Sequence, residues 1–328
     1  MALRAGLLGV GVMGKNHARV LREVDGVDLV AIADPGGDPF GAAVGLEVLP
    51  DLDALIAAGV DIAVVAVPTQ FHYEAAMKLA DAGIHTLVEK PIAHSTEAGR
   101  EMVAAFASRN LVGAVGHVER FNPALQELRK RLENGDAGEV YQIATRRQST
   151  FPARIADVGV GKDLASHDID LTSWVAQSDY KSVFAQTTFK SGREFEDMIA
   201  LTGRLGNDII VNHLVNWLSP MKERVTIVTG ERGTFIADTA TGDLTFHANG
   251  TIPFEWDSMS AFRGVAEGDV TRFSFAKREP LRVEHEAFRD AVLGLPSEVV
   301  TMEQGLHTLE VVEGALESAR TGLPVTFR

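Results

Sequence analysis

The apolar positions of this chain follow two regimes. From Leu3 to about His117, short continuous apolar runs alternate with helical patterns. Leu3–Leu8, Leu29–Ala33, Ile62–Val67, Ile84–Val88 and Leu111–Gly116 read as strands, with helical segments such as Asp51–Ala58, Tyr73–Ala82 and Ser95–Ser108 between them. A run such as Ile62-Ala63-Val64-Val65-Ala66-Val67 has no polar face, as expected of a strand buried on both sides. The first regime therefore predicts an α/β domain with a doubly wound parallel sheet. After about residue 120 the period shortens. A helix Ala124–Glu133, a strand Val140–Arg146 and a helix near Asp163–Gln177 lead into strand-like alternation at Ser182–Phe189, Met198–Leu205, Ile209–Trp217, Arg224–Thr229, Thr234–Asp238 and Asp243–His247. Turn signals such as Gly206-Asn207 and Thr241-Gly242-Asp243 separate these strands closely enough to predict antiparallel pairing. Helices Val283–Leu293 and Met302–Thr321 close the chain, with Gly322 where a C-cap glycine belongs.

A length of 328 residues agrees with two domains. The expected division is 1–120, a dinucleotide-type α/β domain, and 121–328, an α+β domain on an open, mostly antiparallel sheet. Helices can cover one face of such a sheet. A second subunit is the expected cover of the other, which predicts a homodimer or homotetramer through the C-terminal sheet face.

Charge and composition narrow the chemistry. A net charge of −14 argues against nucleic acid, and the densest basic stretches, Arg129-Lys130-Arg131 and Arg146-Arg147, read as solvated faces. No apolar run approaches the roughly 18–20 residues of a membrane span. Met1-Ala2-Leu3-Arg4 runs straight into the first strand, leaving no room for a signal peptide, so the expected location is cytoplasmic. The absence of cysteine excludes disulfides, thiolate metal sites and cysteine nucleophiles.

The first strand runs into Gly9-Val10-Gly11-Val12-Met13-Gly14, a G-x-G-x-x-G followed by a helical segment and a second strand that ends at Asp34. In this setting each part has a task in dinucleotide binding. Gly9 permits the tight turn, Gly11 lets the backbone approach a pyrophosphate, and Gly14 lets helix and strand pack closely. The helix N-terminus offers N–H groups and a positive dipole end to the phosphates. Asp34 can accept both ribose hydroxyls and would repel a 2′-phosphate, and Pro35-Gly36-Gly37-Asp38 supplies no cation to hold one. The expected cofactor is NAD rather than NADP.

Two further clusters carry candidate chemistry. Glu89-Lys90-Pro91 follows directly on a parallel strand, where a catalytic group belongs, and Pro91 could fix an unusual backbone turn or a cis bond. If Asp163–Gln177 is helical, Asp163, Ser166, His167 and Asp170 share a polar side, and Asp163 can orient the His167 imidazole one turn on. His167, Asp168 and Asp170 do not share a face, so no metal site is expected.

Taken together, Gly9–Gly14 with His17, Val67-Pro68-Thr69-x-x-His72, Glu89-Lys90-Pro91 and Asp163-x-x-x-His167 resemble the Gfo/Idh/MocA oxidoreductases over essentially the whole chain. The resemblance implies an N-terminal Rossmann domain and an open-sheet substrate domain. It implies that Lys90 hydrogen-bonds substrate near the nicotinamide and that His167, paired with Asp163, accepts the proton. It further implies that the Thr69 and His72 region lines the nicotinamide side of the cofactor, and His17 is expected only to pack behind the glycine turn. Gly116-His117-Val118-Glu119-Arg120-Phe121-Asn122-Pro123 and Phe151–Val160 look like members that oxidise UDP-N-acetylhexosamines at C3. In that case Arg120 and Arg154 would meet a diphosphate or carboxylate, and Asn122 a sugar hydroxyl or acetamido group; alternatively, Arg120 and Glu119 form an ion pair. The implied substrate is a small sugar or nucleotide sugar. The rivals are an inositol or free-sugar dehydrogenase and a non-catalytic NAD-binding regulator, which would have no reason to keep Lys90, Asp163 and His167 together.

Overall fold

The computed structural model describes residues 2–152, 158–250 and 266–327. Its helices, in chain order, are α1 (Gly14–Leu21), α2 (Leu52–Ala57), α3 (His72–Asp81), α4 (Thr96–Ser108), α5 (Pro123–Glu133), α6 (Ser166–Ala176), α7 (Pro280–Val292) and α8 (Met302–Thr321). The chain divides into two compact units: Met1–Phe121 with Arg278–Glu310, and Asn122–Lys277 with Val311–Arg328.

In the first unit, β1 (Leu3–Leu8), β2 (Val27–Ala33), β3 (Val48–Leu49), β4 (Ile62–Val65), β5 (His85–Glu89) and β6 (Gly113–Gly116) form a sheet in the order β3-β2-β1-β4-β5-β6. Every pairing is parallel, as the unbroken apolar runs require. All four residues of β4 are buried. The order reverses between β1 and β4, so the connections leaving these two strands diverge and open a crevice at their carboxyl ends. The short edge strand β3 has no periodic signal and was not legible in the sequence.

Residues 278–310, assigned from sequence to the second domain, lie in the first unit. The cause is packing. Leu281 and Phe288 of α7 are buried among Ala5, Leu7, Ile32 and Leu87 of the parallel sheet, and the Val115 N–H donates to the Val300 carbonyl at 2.9 Å. A helical stripe shows that a face is buried but not which sheet buries it.

The second unit is built on nine strands: β7 (Val140–Thr150), β8 (Tyr180–Thr188), β9 (Met198–Leu205), β10 (Ile210–Asn216), β11 (Leu218–Gly230), β12 (Gly233–Asp238), β13 (Asp243–Gly250), β14 (Ala266–Arg272) and β15 (Val325–Thr326). The order is β14-β13-β12-β11-β7-β10-β9-β8-β15, antiparallel except for β7 against β10. One face meets α5, α6 and the end of α8 in a core that includes Leu125, Leu128, Ile169, Leu171, Val211 and Val312. On the opposite face Ile210 and Leu214 stay exposed, and Arg146, Phe184, Ala200 and Thr202 line an open depression of about 470 Å³. Strand alternation also separates the two arginines read as one solvated face. Arg146 points outward to Glu223, whereas Arg147 is buried.

Candidate functional site

The glycine turn shows three different demands for glycine. Gly9 has φ +92°, and a Cβ there would lie 2.7 Å from the Ala66 carbonyl oxygen. A Cβ on Gly14 would lie 2.0 Å from the carbonyl oxygen of Gly9, so turn and helix close on each other through that position. A Cβ on Gly11 would meet nothing within 4 Å. The packing of the described residues makes no demand at Gly11, which is what a backbone approached by a ligand phosphate requires. Asp51, Ser95 and Asn122 cap α2, α4 and α5 with side-chain oxygens, but α1 begins at Met13 with no side-chain cap and no acid in its first turn. Lys15 and Asn16 N–H already donate to the Gly11 and Met13 carbonyl oxygens, so it is the first-turn dipole and the N–H groups ahead of them that are left to an anion. Val12 is exposed and Met13 half-buried beside them. The residues present fit the pyrophosphate of a dinucleotide.

Asp34 ends β2 with its carboxylate fixed. Oδ2 accepts the Val10 N–H and Oδ1 the Gly36 N–H, both at 2.8 Å. Each oxygen keeps a lone pair for a ribose hydroxyl, and the two bonds hold the group in one orientation.

The ends of β4 and β5 are tied together by His72. Its ring is buried, with Nε2 2.9 Å from the Val67 carbonyl oxygen and Nδ1 2.9 Å from that of Pro91. Burial lowers its pKa, opposed by those carbonyls and by Glu89. His72 thus shapes the rim from within, while Pro68 is exposed and Thr69 half-buried at the start of a 3₁₀ turn, Thr69–Phe71. The Lys90–Pro91 peptide is cis. Glu89 lies beneath it, buried, its Oε2 accepting the Lys90 N–H at 3.1 Å and its Oε1 2.8 Å from His17 Nε2. Gly116 on β6 leaves room for this carboxylate, since a Cβ there would lie 3.2 Å from Oε2. His17 does more than pack behind the glycine turn: its Nδ1 is 2.8 Å from Nε2 of His285 on α7, a residue that sequence reasoning missed.

In the second unit the expected helix Asp163–Gln177 begins differently. Gly161–Ala165 is a π-helical turn that runs into α6 at Ser166. Glu196 explains the altered start: its carbonyl oxygen accepts the Val160 N–H at 3.1 Å and its Oε1 the Gly161 N–H at 2.9 Å. The carboxylate occupies the space beside Gly159, where a Cβ would lie 2.1 Å from it. The turn so anchored carries buried Asp163, with half-buried His167 just inside α6. The next residue, Asp168, is buried against Arg147, with Arg147 Nε 3.0 Å from Asp168 Oδ2. Ser166 donates to the Lys162 carbonyl oxygen at 2.8 Å. Among the described residues no group of three or more His, Asp or Glu could hold a metal ion, and no helix is long and apolar enough to cross a membrane.

Two of the expected substrate residues have other tasks within the chain. Asn122 caps α5, accepting the Ala124 N–H at 3.1 Å, and its amide nitrogen donates to the Thr239 carbonyl oxygen at 3.0 Å. Arg120 is buried and donates to Oε1 of Gln304 at 2.9 Å. Arg154 lies outside the described residues. Glu196, Arg147 and His285 had no local signal, because each partner stands far away in sequence.

A family model described as "Oxidoreductase family, NAD-binding Rossmann fold" matches residues 3–117, and the GFO/IDH/MocA C-terminal domain model matches residues 125–236. UDP-N-acetylglucosamine 3-dehydrogenase of Acidithiobacillus ferrooxidans is 32% identical over 173 residues, so the match spans about half of each protein, 52% of this chain and 53% of that one. The solved structure of the enzyme of that name from the same organism, GnnA, aligns with TM-score 0.84 at 24% identity, covering 98% of this chain and 99% of that one. Inositol 2-dehydrogenase 2 of Saccharopolyspora erythraea is 29% identical over 98% of this chain and 94% of its own length. GenD2 from gentamicin A biosynthesis, solved with NAD, aligns with TM-score 0.82 at 26% identity over 100% of this chain and 97% of that one.

Proposed function

The chain belongs to the Gfo/Idh/MocA oxidoreductases, and from that premise we propose that it oxidises, reversibly, a secondary hydroxyl of a sugar, at C3 of a UDP-N-acetylhexosamine or its uronic acid. The observation that carries the chemistry is the end of β5, where buried Glu89 fixes the backbone of Lys90 at the carboxyl edge of a Rossmann sheet. Lys90 holds and polarises the substrate hydroxyl. His167, with Asp163 as its partner, takes the hydroxyl proton, and the C–O bond gains its second bond as the carbon's hydride departs. NAD, when bound, supplies the acceptor for that hydride. Gly9–Gly14 and Asp34 hold the dinucleotide, with Pro68, Thr69 and Glu89 along the rim of the same sheet. Arg154 is the proposed partner of a diphosphate. Arg120 and Asn122 already have partners in the chain, so they enter this reading as supports of the residues around them.

The preference for a nucleotide sugar rests on the match to UDP-N-acetylglucosamine 3-dehydrogenase. A second reading, inositol dehydrogenation by the same residues, is favoured by the nearly end-to-end match to inositol 2-dehydrogenase 2. Purified protein with NAD and a panel of UDP-N-acetylglucosamine, its C6 uronic acid, myo-inositol and glucose separates them. NADH formation with a UDP-sugar alone, inhibited competitively by UDP, supports the first reading. Turnover of inositol, indifferent to UDP, replaces it with the second.

We also propose that a second copy of the chain covers the outer face of the nine-stranded sheet. Exposed Ile210 and Leu214 supply its apolar centre. Leu214→Asp should convert the assembly to monomers by light scattering; an unchanged mass excludes this face.

A further inference from the structure

Three side chains that are far apart in sequence meet in one buried line within the first unit. His285 Nε2 stands 2.8 Å from His17 Nδ1, and His17 Nε2 stands 2.8 Å from Glu89 Oε1. The line continues through Glu89 Oε2 to the backbone N–H of Lys90 at 3.1 Å. His17, His285 and Glu89 are 0, 2 and 8% exposed, so water does not substitute for any of these bonds. The two imidazoles meet edge to face at 86°.

Hydrogen-bond chemistry gives this line a direction. A carboxylate only accepts, so His17 Nε2 carries a proton. Between His17 Nδ1 and His285 Nε2 one nitrogen donates and the other accepts. His285 Nδ1 is buried with no hydrogen-bond partner among the described residues. If the His285 proton sat there, a buried N–H would be orphaned, whereas a lone pair left without a partner costs less. The proton therefore belongs on His285 Nε2, aimed at His17 Nδ1, so each ring presents an Nε2–H along the line.

From this geometry we propose that His285 and His17 are positioning residues that keep Glu89 ionised beside Lys90, a role that rests on Lys90 being the group that holds the substrate hydroxyl. Burial alone would raise the Glu89 carboxyl. The His17 hydrogen bond and the charge and N–H of Lys90 outweigh that and hold it below the usual carboxylate range. Burial holds His285 well below the usual imidazole range, so it stays neutral. The other titratable groups packed around the line are His72, which interacts with Glu89, Glu284 beside His285 on α7, and Glu119 and Arg120 on the 3₁₀ turn Val118–Phe121 that packs against α7. The relay joins α1, which opens on the glycine turn, to the strand end that carries Lys90.

His285→Phe keeps a ring and removes the donor, and His285→Gln restores an N–H near the Nε2 position. In His285→Phe the acid limb of the kcat/KM profile should move up by about one pH unit, because His17 loses the donor that keeps its own proton on Nε2 and its bond to Glu89 weakens. Its kcat should fall about tenfold, the scale of a hydrogen bond to a charged group. NAD affinity should not change, and His285→Gln should recover most of both effects. A His285→Phe variant with the parent's acid limb and kcat overturns the relay. Nitrogen-15 spectra of the parent protein with NAD bound read the tautomers without any turnover. Protonated Nε2 and bare Nδ1 on both His17 and His285 support the relay, and a proton on either Nδ1 overturns it. The expected tautomers without turnover of any sugar or inositol would remove the dehydrogenase reading and leave the relay's geometry standing. Turnover with the wrong tautomers would remove the relay alone.

Discussion

The two units bury polar groups in opposite ways. In the first, the Glu89 carboxylate is met by the ring of His17, which His285 backs from its other nitrogen, and by the Lys90 N–H. In the second, Arg147 and Asp168 bury as a formal ion pair, 3 and 2% exposed, and His213 lies 2.7 Å from the hydroxyls of both Thr145 and Tyr180. An ion pair buried between α6 and β7 fixes a helix to a sheet. A carboxylate met by a ring N–H and a backbone N–H is held in place beside its lysine. The first arrangement suits chemistry and the second suits architecture.

Neighbouring residues on α6 sharpen that contrast. His167→Ala should lower turnover by on the order of 10²–10⁴, the range for general acid–base help, while NAD affinity and melting temperature stay close to the parent's. A fall in NAD binding in step with activity would contradict the assignment. One residue on, the loss should be of stability instead. Arg147→Met leaves Asp168 buried without its cation and should cost about 3–5 kcal/mol in denaturant unfolding; replacing both residues with apolar ones should restore much of that.

The glycine turn gives a smaller contrast of the same kind. Gly14→Ala drives a Cβ into the Gly9 carbonyl and should destabilise the first unit by roughly 1–3 kcal/mol. Gly11→Ala meets no atom of the described residues within 4 Å, so it should weaken NAD in calorimetric titration while leaving the unfolding midpoint in place. Equal effects at both positions would erase the distinction between packing and ligand contact.

The effect that is smallest near neutral pH, and grows only on acidification, belongs to His213. Burial pushes His213 down to about 3 from an ordinary value near 6.5. Below the ordinary value the unfolded chain takes up a proton that the folded one refuses. The stability His213 contributes is therefore complete above about pH 6.5 and is lost progressively as pH falls toward 3. His213→Gln should flatten the acid side of the unfolding curve. An unchanged slope would mean that another group sets it.

What the sequence disclosed follows the same division. The turn Gly9–Gly14, Asp34 and Glu89-Lys90-Pro91 are local patterns tied to strand ends, and the parallel sheet puts them along one edge. His285 stands 268 residues from His17, and Arg147 finds Asp168 only because strand alternation turns it inward. Glu196 reshapes the start of α6 from another strand's approach, so helical spacing alone misses the π-turn that carries Asp163. The α7 segment shows an apolar stripe whose destination is settled by tertiary packing. Asn122, expected at the substrate from the resemblance, also holds a helix cap.

The most direct measurement is NADH formation by the purified parent protein and by Lys90→Met, each supplied with NAD and either UDP-N-acetylglucosamine or its uronic acid. The account predicts turnover by the parent with a nucleotide sugar, and a loss of on the order of 10²–10⁴ in Lys90→Met with NAD still bound. Undiminished turnover in Lys90→Met would contradict it, as would a parent protein that binds NAD yet reduces none of it with any sugar or inositol.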